Sequence, residues 1–98
     1  MISCIINGKV YTLKVLKSEK EKVTGLKDYP ELGDREGLIF VYDKPVRRNF
    51  TFSDISYPCI IYFLDAECNI VDRQKTVPFQ KELVIPRFAF KYAIEICN

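Results

Sequence analysis

The sequence predicts a small, mainly β domain of the α+β class, either barrel-like or built from two sheets, with one helix packed against it. Three observations lead to this prediction: about eight short strand patterns, a single clear helix signal, and a length of 98 residues that suits one hydrophobic core. Apolar residues make up 48% of the chain, which is typical of a globular protein and too high for a disordered one. We therefore expect residues 1–98 to form a single domain.

The first two strands are predicted to form a hairpin. Strand patterns cover residues 3–6 and 9–16, and Asn7-Gly8 separates them. This dipeptide tolerates the positive φ angles that a two-residue type I′ turn requires. The pattern therefore predicts two antiparallel strands at the start of the chain.

One helix is predicted to begin after Ser18. Ser18 and Glu21 have the spacing of a capping box, in which each side chain binds the backbone amide of the other residue. Val23 and Leu26 are expected to face the core. Gly25 is expected either to end the helix or to let it pack closely against a strand.

Six further strands are predicted after a polar loop at residues 27–36. Residues 59–64 are apolar without alternation, which is typical of a central strand that is covered on both faces. Residues 53–58 are expected to form a loop. The predicted strands are 38–42, 46–52, 59–64, 70–75, 83–85 and 88–96.

The last strand has the clearest alternation in the chain. We expect one of its faces to enter the core and the other to be exposed, where it could contact another protein. The first face consists of Phe88, Phe90, Tyr92, Ile94 and Ile96. The second face consists of Arg87, Ala89, Lys91, Ala93 and Glu95.

The composition argues against several functions. A net charge of +2 gives little long-range attraction for phosphate, so nucleic-acid binding, for which Lys44, Arg47 and Arg48 are the candidate residues, is not favoured. The chain has no histidine, which removes Ser-His-Asp and Cys-His catalysis and the histidine zinc sites. We predict no metal, no cofactor and no enzyme activity.

The cysteines and the first residues predict a location. Cys4, Cys59, Cys68 and Cys97 form no CxxC pair and lie in or beside apolar runs. The start of the chain lacks the basic region and long apolar stretch of a signal peptide, and no apolar run is long enough to cross a bilayer. We expect a protein of the cytoplasm or of an assembled particle, neither secreted nor in a membrane, with four free thiols packed as small apolar groups.

Several sequence blocks occur in the order and spacing of a known family pattern. Gly25-Leu26 matches the Gly-Leu that follows a helix in that pattern, and residues 37–42 read Gly-Leu-Ile-Phe-Val-Tyr where the pattern has Gly-Met-Leu-Phe-Val-Phe. Residues 50–65 align without a gap to its Phe-Trp-Met-Lys-Asn-Thr and Pro-Leu-Asp block, and residues 91–95 match its last strand. Over about residues 10–96 the chain thus resembles the family called domain of unknown function 192. The resemblance implies a compact, barrel-like β fold with one packed helix, and no particular chemistry.

The chain departs from the family pattern at polar and aromatic positions. Thr51 replaces Trp, Asp54 replaces Asn, Ile55 replaces Thr, and Ile60 replaces Asp. An isoleucine in place of a carboxylate removes both charge and proton-transfer capacity. The resemblance therefore implies that a pocket shared by the family would be lost or altered here.

These observations favour a non-enzymatic protein-interaction or structural module, such as a component of a virion or another large assembly. A small β domain must protect its strand edges or pair them with a partner. We expect a protein partner, which the sequence does not identify, and it leaves the oligomeric state open. The predicted contact surface consists of Arg47, Arg48, Asn49, Thr51, Asp54 and Tyr57.

A small-molecule-binding protein or weak enzyme remains the alternative. Its site would lie around residues 50–60, and the observation that would favour it is a concave pocket. The residues expected to line that pocket are Thr51, Ser53, Asp54 and Tyr57.

Overall fold

The computed structural model describes residues 1–29 and 32–97, apart from the side chain of Asp28; Pro30 and Glu31 of the predicted loop 27–36 lie outside the described residues. Eight strands confirm the mainly β class. The elements are β1 (Ile2–Ile6), β2 (Lys9–Leu16), helix α1 (Glu19–Thr24), the 3-10 helix η1 (Gly25–Asp28), β3 (Glu36–Val46), β4 (Phe50–Phe52), β5 (Cys59–Leu64), β6 (Ile70–Thr76), β7 (Gln80–Val84) and β8 (Phe90–Cys97).

Six strands form a main sheet in the order β1-β2-β3-β8-β5-β6, and β4 pairs with β7 in a second sheet. β2 and β3 run parallel, whereas the other neighbouring strands are antiparallel. A parallel pair needs a crossover connection, and α1 and η1 lie within it. Over the described residues the main sheet does not close into a barrel, so the two-sheet arrangement is the one observed.

The predicted hairpin and the predicted capping box are both present. Asn7 and Gly8 have φ angles of 52° and 77°, as a type I′ turn requires. The Ser18 hydroxyl accepts from the Glu21 amide at 3.1 Å, and the Glu21 carboxylate accepts from the Ser18 amide at 3.0 Å. Both features depend on neighbouring residues, which explains why the sequence predicted them.

Gly25 serves both of the uses expected of it. With φ at 47°, it follows α1, and a Cβ at this position would lie 3.4 Å from the Phe40 ring. Leu26 is buried as predicted, but the prediction for Val23 is wrong, because its side chain is 81% exposed. Successive helical residues point about 100° apart. Lys22 instead lies over the Tyr42 ring, and Val23 points to solvent.

Apolar side chains cover both faces of the main sheet. The helical segment and the second sheet cover one face, where Leu38, Phe40 and Phe63 are buried. Leu13 packs with Tyr62 on the other face. This arrangement confirms that β5 is a buried inner strand.

β3 is longer and β4 shorter than predicted. β3 continues through Lys44 and Pro45 to Val46, and β4 contains only Phe50–Phe52. Pro45 has no amide proton to give to a neighbouring strand. It is tolerated because the pairing of β3 with β8 is irregular between Val41 and Val46. β7 also differs from its predicted range, since it covers Gln80–Val84 rather than residues 83–85.

The prediction for the last strand is right for Phe90, Ile94 and Ile96, which are buried, and wrong for the face that was expected to be exposed. β8 lies between β3 and β5, and Ala93 and Glu95 are buried rather than exposed. Phe90 packs in the same core as Ala93, because the β3–β8 pairing shifts near the start of β8. Phe88 precedes the strand and is exposed. When a strand is covered on both faces, the alternation in its sequence does not indicate which side chains are exposed to water.

The prediction of four free thiols is also wrong. Cys59 and Cys97 are opposite one another in the β5–β8 pairing and form a disulfide across 38 positions of sequence. Cys4 and Cys68 are free. The pairing of β5 with β8 brings the two sulfurs together, and the sequence spacing alone carries no signal for it.

Candidate functional site

A cleft of about 210 Å³ lies between the helical segment and β4, above β3 and β8. We call it the Glu95 cleft. Its lining contains four aromatic and six charged residues, and the Phe40 and Phe50 rings meet edge to face with their centroids 5.4 Å apart. Besides these two rings, its lining includes Leu26, Tyr42, Thr51, Phe52 and Glu95.

Glu95 is the buried ionisable group of this cleft. It lies on β8 between Leu38 of β3 and Ile61 of β5, and it is only 4% exposed. The described residues place no hydrogen bond or ion pair on its carboxyl group. Burial raises the pKa of Glu95 to about 8, so the group is mostly protonated at neutral pH.

Gly37 lets β3 approach β8 beside Glu95. A Cβ on Gly37 would lie 2.6 Å from the Glu95 carbonyl oxygen and 3.1 Å from Leu13 Cδ2. Real Cβ atoms do not approach a backbone oxygen this closely, so only glycine fits. The absence of a side chain at position 37 therefore helps to place Glu95 at the cleft.

The charge of Glu95 affects the pKa values of two tyrosines. Burial is the main factor that raises the pKa of Tyr42, the charge of Arg48 lowers it, and the charges of Glu19 and Glu95 raise it further. The pKa of Tyr57 is raised by burial first and then by the charge of Glu95. The protonation of the three groups is therefore linked.

Two exposed ion pairs connect the helical segment to the residues on either side of β4. Arg48 Nη1 lies 3.1 Å from Glu19 Oε2, and Lys27 Nζ lies 2.8 Å from Asp54 Oδ2. All four side chains line the Glu95 cleft. Exposed pairs of this kind contribute less than about 1 kcal/mol each to stability, so they shape the rim more than they stabilise the fold.

Lys22 is a third cation at the rim. Its Nζ lies 4.0 Å from the centroid of the Tyr42 ring and 4.0 Å from Glu19 Oε1. The side chain is almost buried, since only 8% of it is exposed. Its charge is directed at Tyr42 and Glu19.

A second cleft of about 330 Å³ adjoins the first, and we call it the Tyr57 cleft. The two clefts share the Lys27–Asp54 pair, and Glu95 lines the first cleft whereas Tyr57 lines the second. The lining of the Tyr57 cleft is Leu26, Lys27, Asp54, Ile55, Ser56 and Tyr57.

The structure brings most of the predicted contact residues to these clefts. Arg48, Asn49, Thr51 and Asp54 line the Glu95 cleft, while Asp54 and Tyr57 line the Tyr57 cleft. Arg47 instead donates to the carbonyl oxygen of Pro86 at 3.0 Å. Ser53, which was expected in the pocket, is hydrogen-bonded to Thr51 and is absent from the lining of both clefts.

Ile60, which stands where the family pattern has Asp, lies outside both clefts. Ile60 packs against the core on the opposite face of the main sheet, so its replacement of Asp does not alter either cleft. Glu95 was missed as a site residue because it was assigned to an exposed face. A signal for it does exist: it is the one charged residue in the run from Ala93 to Cys97, which is otherwise apolar.

Within residues 1–29 and 32–97, no group of three or more cysteine or acidic side chains could hold a metal ion. None of the helices there combines the length and the apolar character needed to cross a membrane.

Comparison with known proteins identifies relatives of this fold. The family DUF192, described as "Uncharacterized ACR", matches residues 2–98. The comparison with curated proteins gave no match.

Two solved structures share the fold. A protein of unknown function from Novosphingobium aromaticivorans is 23% identical, with a TM-score of 0.80 over 91% of this chain and 64% of that protein. A putative transcription regulator from Sinorhizobium meliloti is 14% identical, with a TM-score of 0.81 over 97% of this chain and 76% of that protein. This chain thus spans less than two thirds of the first protein.

Proposed function

This chain belongs to the DUF192 family, whose description names no activity, and we propose from the geometry that it is a small-molecule-binding protein that holds its ligand in the Glu95 cleft. The observation that carries this proposal is the buried Glu95 carboxyl group, which lines an open cleft and has no hydrogen bond from the described residues. No fully buried side-chain oxygen or nitrogen of the described residues lacks a hydrogen-bond partner, so the Glu95 carboxyl oxygens reach the open space of the cleft, where a ligand could take the place of water.

The composition of the cleft supports binding. Small-molecule sites typically combine apolar and aromatic side chains with a few placed polar groups. This cleft has four aromatic residues and six charged ones, and four of the charged side chains are exposed. At about 210 Å³, the cleft is smaller than the roughly 300–1,000 Å³ of most such sites, so we expect a ligand below drug size. The adjoining Tyr57 cleft offers room for a longer ligand to extend past the Lys27–Asp54 pair.

A screen of small cationic, neutral and anionic compounds tests the proposal. We expect binders to raise the melting temperature and to shift the amide NMR signals of Glu95, Thr51 and Lys27. The proposal would be wrong if none of the compounds perturbed these signals.

A blocking variant supplies the matched control. Thr51 lines the cleft and is exposed, so Thr51→Trp should fold and fill the mouth of the cleft with an indole ring. We expect Thr51→Trp to weaken binding at least tenfold, whereas Thr51→Ser should bind like the natural chain. Equal binding by both variants would place the ligand somewhere else.

The protein-interaction role predicted from the sequence stays a prediction. Most residues of the predicted contact surface line the two clefts, so they cannot contact a protein partner and a ligand at the same time. Light scattering and capture of partners from the native source would test that role, and a strictly monomeric protein without a partner would contradict it.

A further inference from the structure

We propose that the Glu95 cleft takes a small organic cation, an aliphatic amine or guanidino group, whose charged end contacts the Glu95 carboxylate. The proposal rests on the ligand-binding role above and adds the chemical class of the ligand. Its basis is the distribution of charges and aromatic rings around Glu95.

Glu95 has no counter-charge from the part of the chain that the structure describes. Its neighbours in the sheet, Leu38 and Ile61, are fully buried and apolar. An ionised carboxylate that is buried without a partner is disfavoured, so at neutral pH a cation from outside would favour the ionisation of Glu95.

The protein's own cations around the cleft already have partners. The pairs are Arg48 with Glu19 at 3.1 Å, Lys27 with Asp54 at 2.8 Å, and Lys22 with the Tyr42 ring at 4.0 Å. An anionic ligand would compete with Glu19 and Asp54 for these cations, and its charge would oppose the ionisation of Glu95. The arrangement therefore disfavours anions and leaves the position beside Glu95 open to a cation.

The walls also suit an organic cation. The faces of aromatic rings attract ammonium and guanidinium groups electrostatically, and this attraction grows when water is excluded. Phe40 and Phe50 both line the cleft, with their rings perpendicular to one another, and the Tyr42 ring of the same cleft already has Lys22 Nζ 4.0 Å from its centroid. A carboxylate below aromatic walls can bind both the charge of an amine and its apolar chain.

Binding of a cation should release a proton. The titratable and charged groups around Glu95 are Tyr42 on β3, Glu19 and Lys22 on α1, Lys27 on η1, Arg48 before β4, and Asp54 and Tyr57 after it. Because the pKa of Glu95 is about 8, the carboxyl group is mostly protonated at neutral pH and must ionise to pair with an amine. A neutral ligand would accept a hydrogen bond from the protonated acid and release no proton.

Three compounds with the same carbon chain separate the alternatives. Butylamine, butanol and butyrate differ only in the polar head, so they test a cation, a neutral group and an anion of similar size. Isothermal titration calorimetry near neutral pH, in two buffers with different ionisation enthalpies, measures both affinity and proton release. We expect butylamine to bind at least tenfold more tightly than the other two, with release of about one proton per bound amine.

The pH dependence gives a second readout. Below the pKa of Glu95, the affinity for butylamine should rise about tenfold per pH unit, and it should level off above about pH 8. Glu95→Gln should lose the preference for butylamine, the proton release and the pH dependence together. Glu67→Gln makes the same chemical change in an exposed turn and should behave like the natural chain.

Each outcome decides the proposal. Butylamine binding with proton release that is lost in Glu95→Gln supports it. Preferred binding of butanol or butyrate, or amine binding without proton release, overturns the ligand class but leaves the Glu95 cleft as a binding site. Absence of butylamine binding also overturns the ligand class, and the ligand-binding role falls with it only if the broader compound screen finds no binder.

Discussion

Arg87 contacts Asp72 with both its side chain and its backbone. Its Nη2 lies 2.7 Å from Asp72 Oδ1, and its amide donates to Asp72 Oδ2 at 3.0 Å. The Asp72 side chain has no exposed area, whereas 72% of the Arg87 side chain is exposed. This contact joins β6 to the segment that connects β7 to β8.

We expect Asp72→Asn to lower the free energy of unfolding by about 2 kcal/mol, because it removes the charge that several donors share. Burial alone would raise the pKa of Asp72, but hydrogen bonds from Arg87, Gln74 and Arg73 outweigh burial and hold the pKa well below its usual range. Since the folded pKa lies below the unfolded value of about 3.9, the stabilisation is complete above that pH and is lost as the pH falls.

Urea denaturation at neutral pH and near pH 3 would measure both effects of Asp72→Asn. The variant should lose less stability on acidification than the natural chain. Asp43→Asn, at an exposed position of β3, serves as the control. Equal stability of the two variants at neutral pH would contradict the prediction.

Glu95→Gln should stabilise the protein increasingly as the pH rises. The folded pKa of Glu95, about 8, lies above the unfolded value of about 4.3, so the folded state binds the extra proton between these limits. The stability of the natural chain should therefore fall relative to the variant by roughly 1 kcal/mol per pH unit across this window. Denaturation of both proteins at several pH values would test this, and a difference that does not change with pH would contradict it.

Gly37→Ala should destabilise the protein more than Gly8→Ala. At position 37 a Cβ would meet the Glu95 carbonyl oxygen at 2.6 Å, which we expect to cost about 2 kcal/mol or more through forced backbone movement. At position 8 there is open space but φ is +77°, so alanine should cost only about 1 kcal/mol. Thermal unfolding of the two variants gives the comparison. The reverse order would show that β3 and β8 can separate easily.

Reduction of the Cys59–Cys97 disulfide should lower the free energy of unfolding by about 4 kcal/mol, since the bond closes a loop of 38 residues. Denaturation with and without a reductant measures this loss. A chain with Cys4→Ser and Cys68→Ser should show the same loss, because both of these cysteines are free. Detection of four thiols in unreduced, denatured protein would show that the bond is absent.

Local features were predictable from the sequence. Asn7-Gly8 favours a type I′ turn through its own backbone preferences, and Ser18 and Glu21 cap the helix because they are only three residues apart. The apolar run at β5 was also sufficient to predict a buried strand. Clefts do lie beside the residues around β4, with Ser53 outside their lining, and a binding site there stays a prediction.

Only the tertiary structure shows that Glu95 is the buried acid of the cleft. Whether Glu95 faces water or the interior is decided by which strands lie beside β8 and by what covers them, and neither is encoded in the period of the strand itself. The same applies to Cys59 and Cys97, which only the pairing of β5 with β8 makes neighbours. Short-range preferences of the backbone act within a few residues, whereas burial and charge environment come from segments distant in sequence, and these determine the chemistry of the cleft.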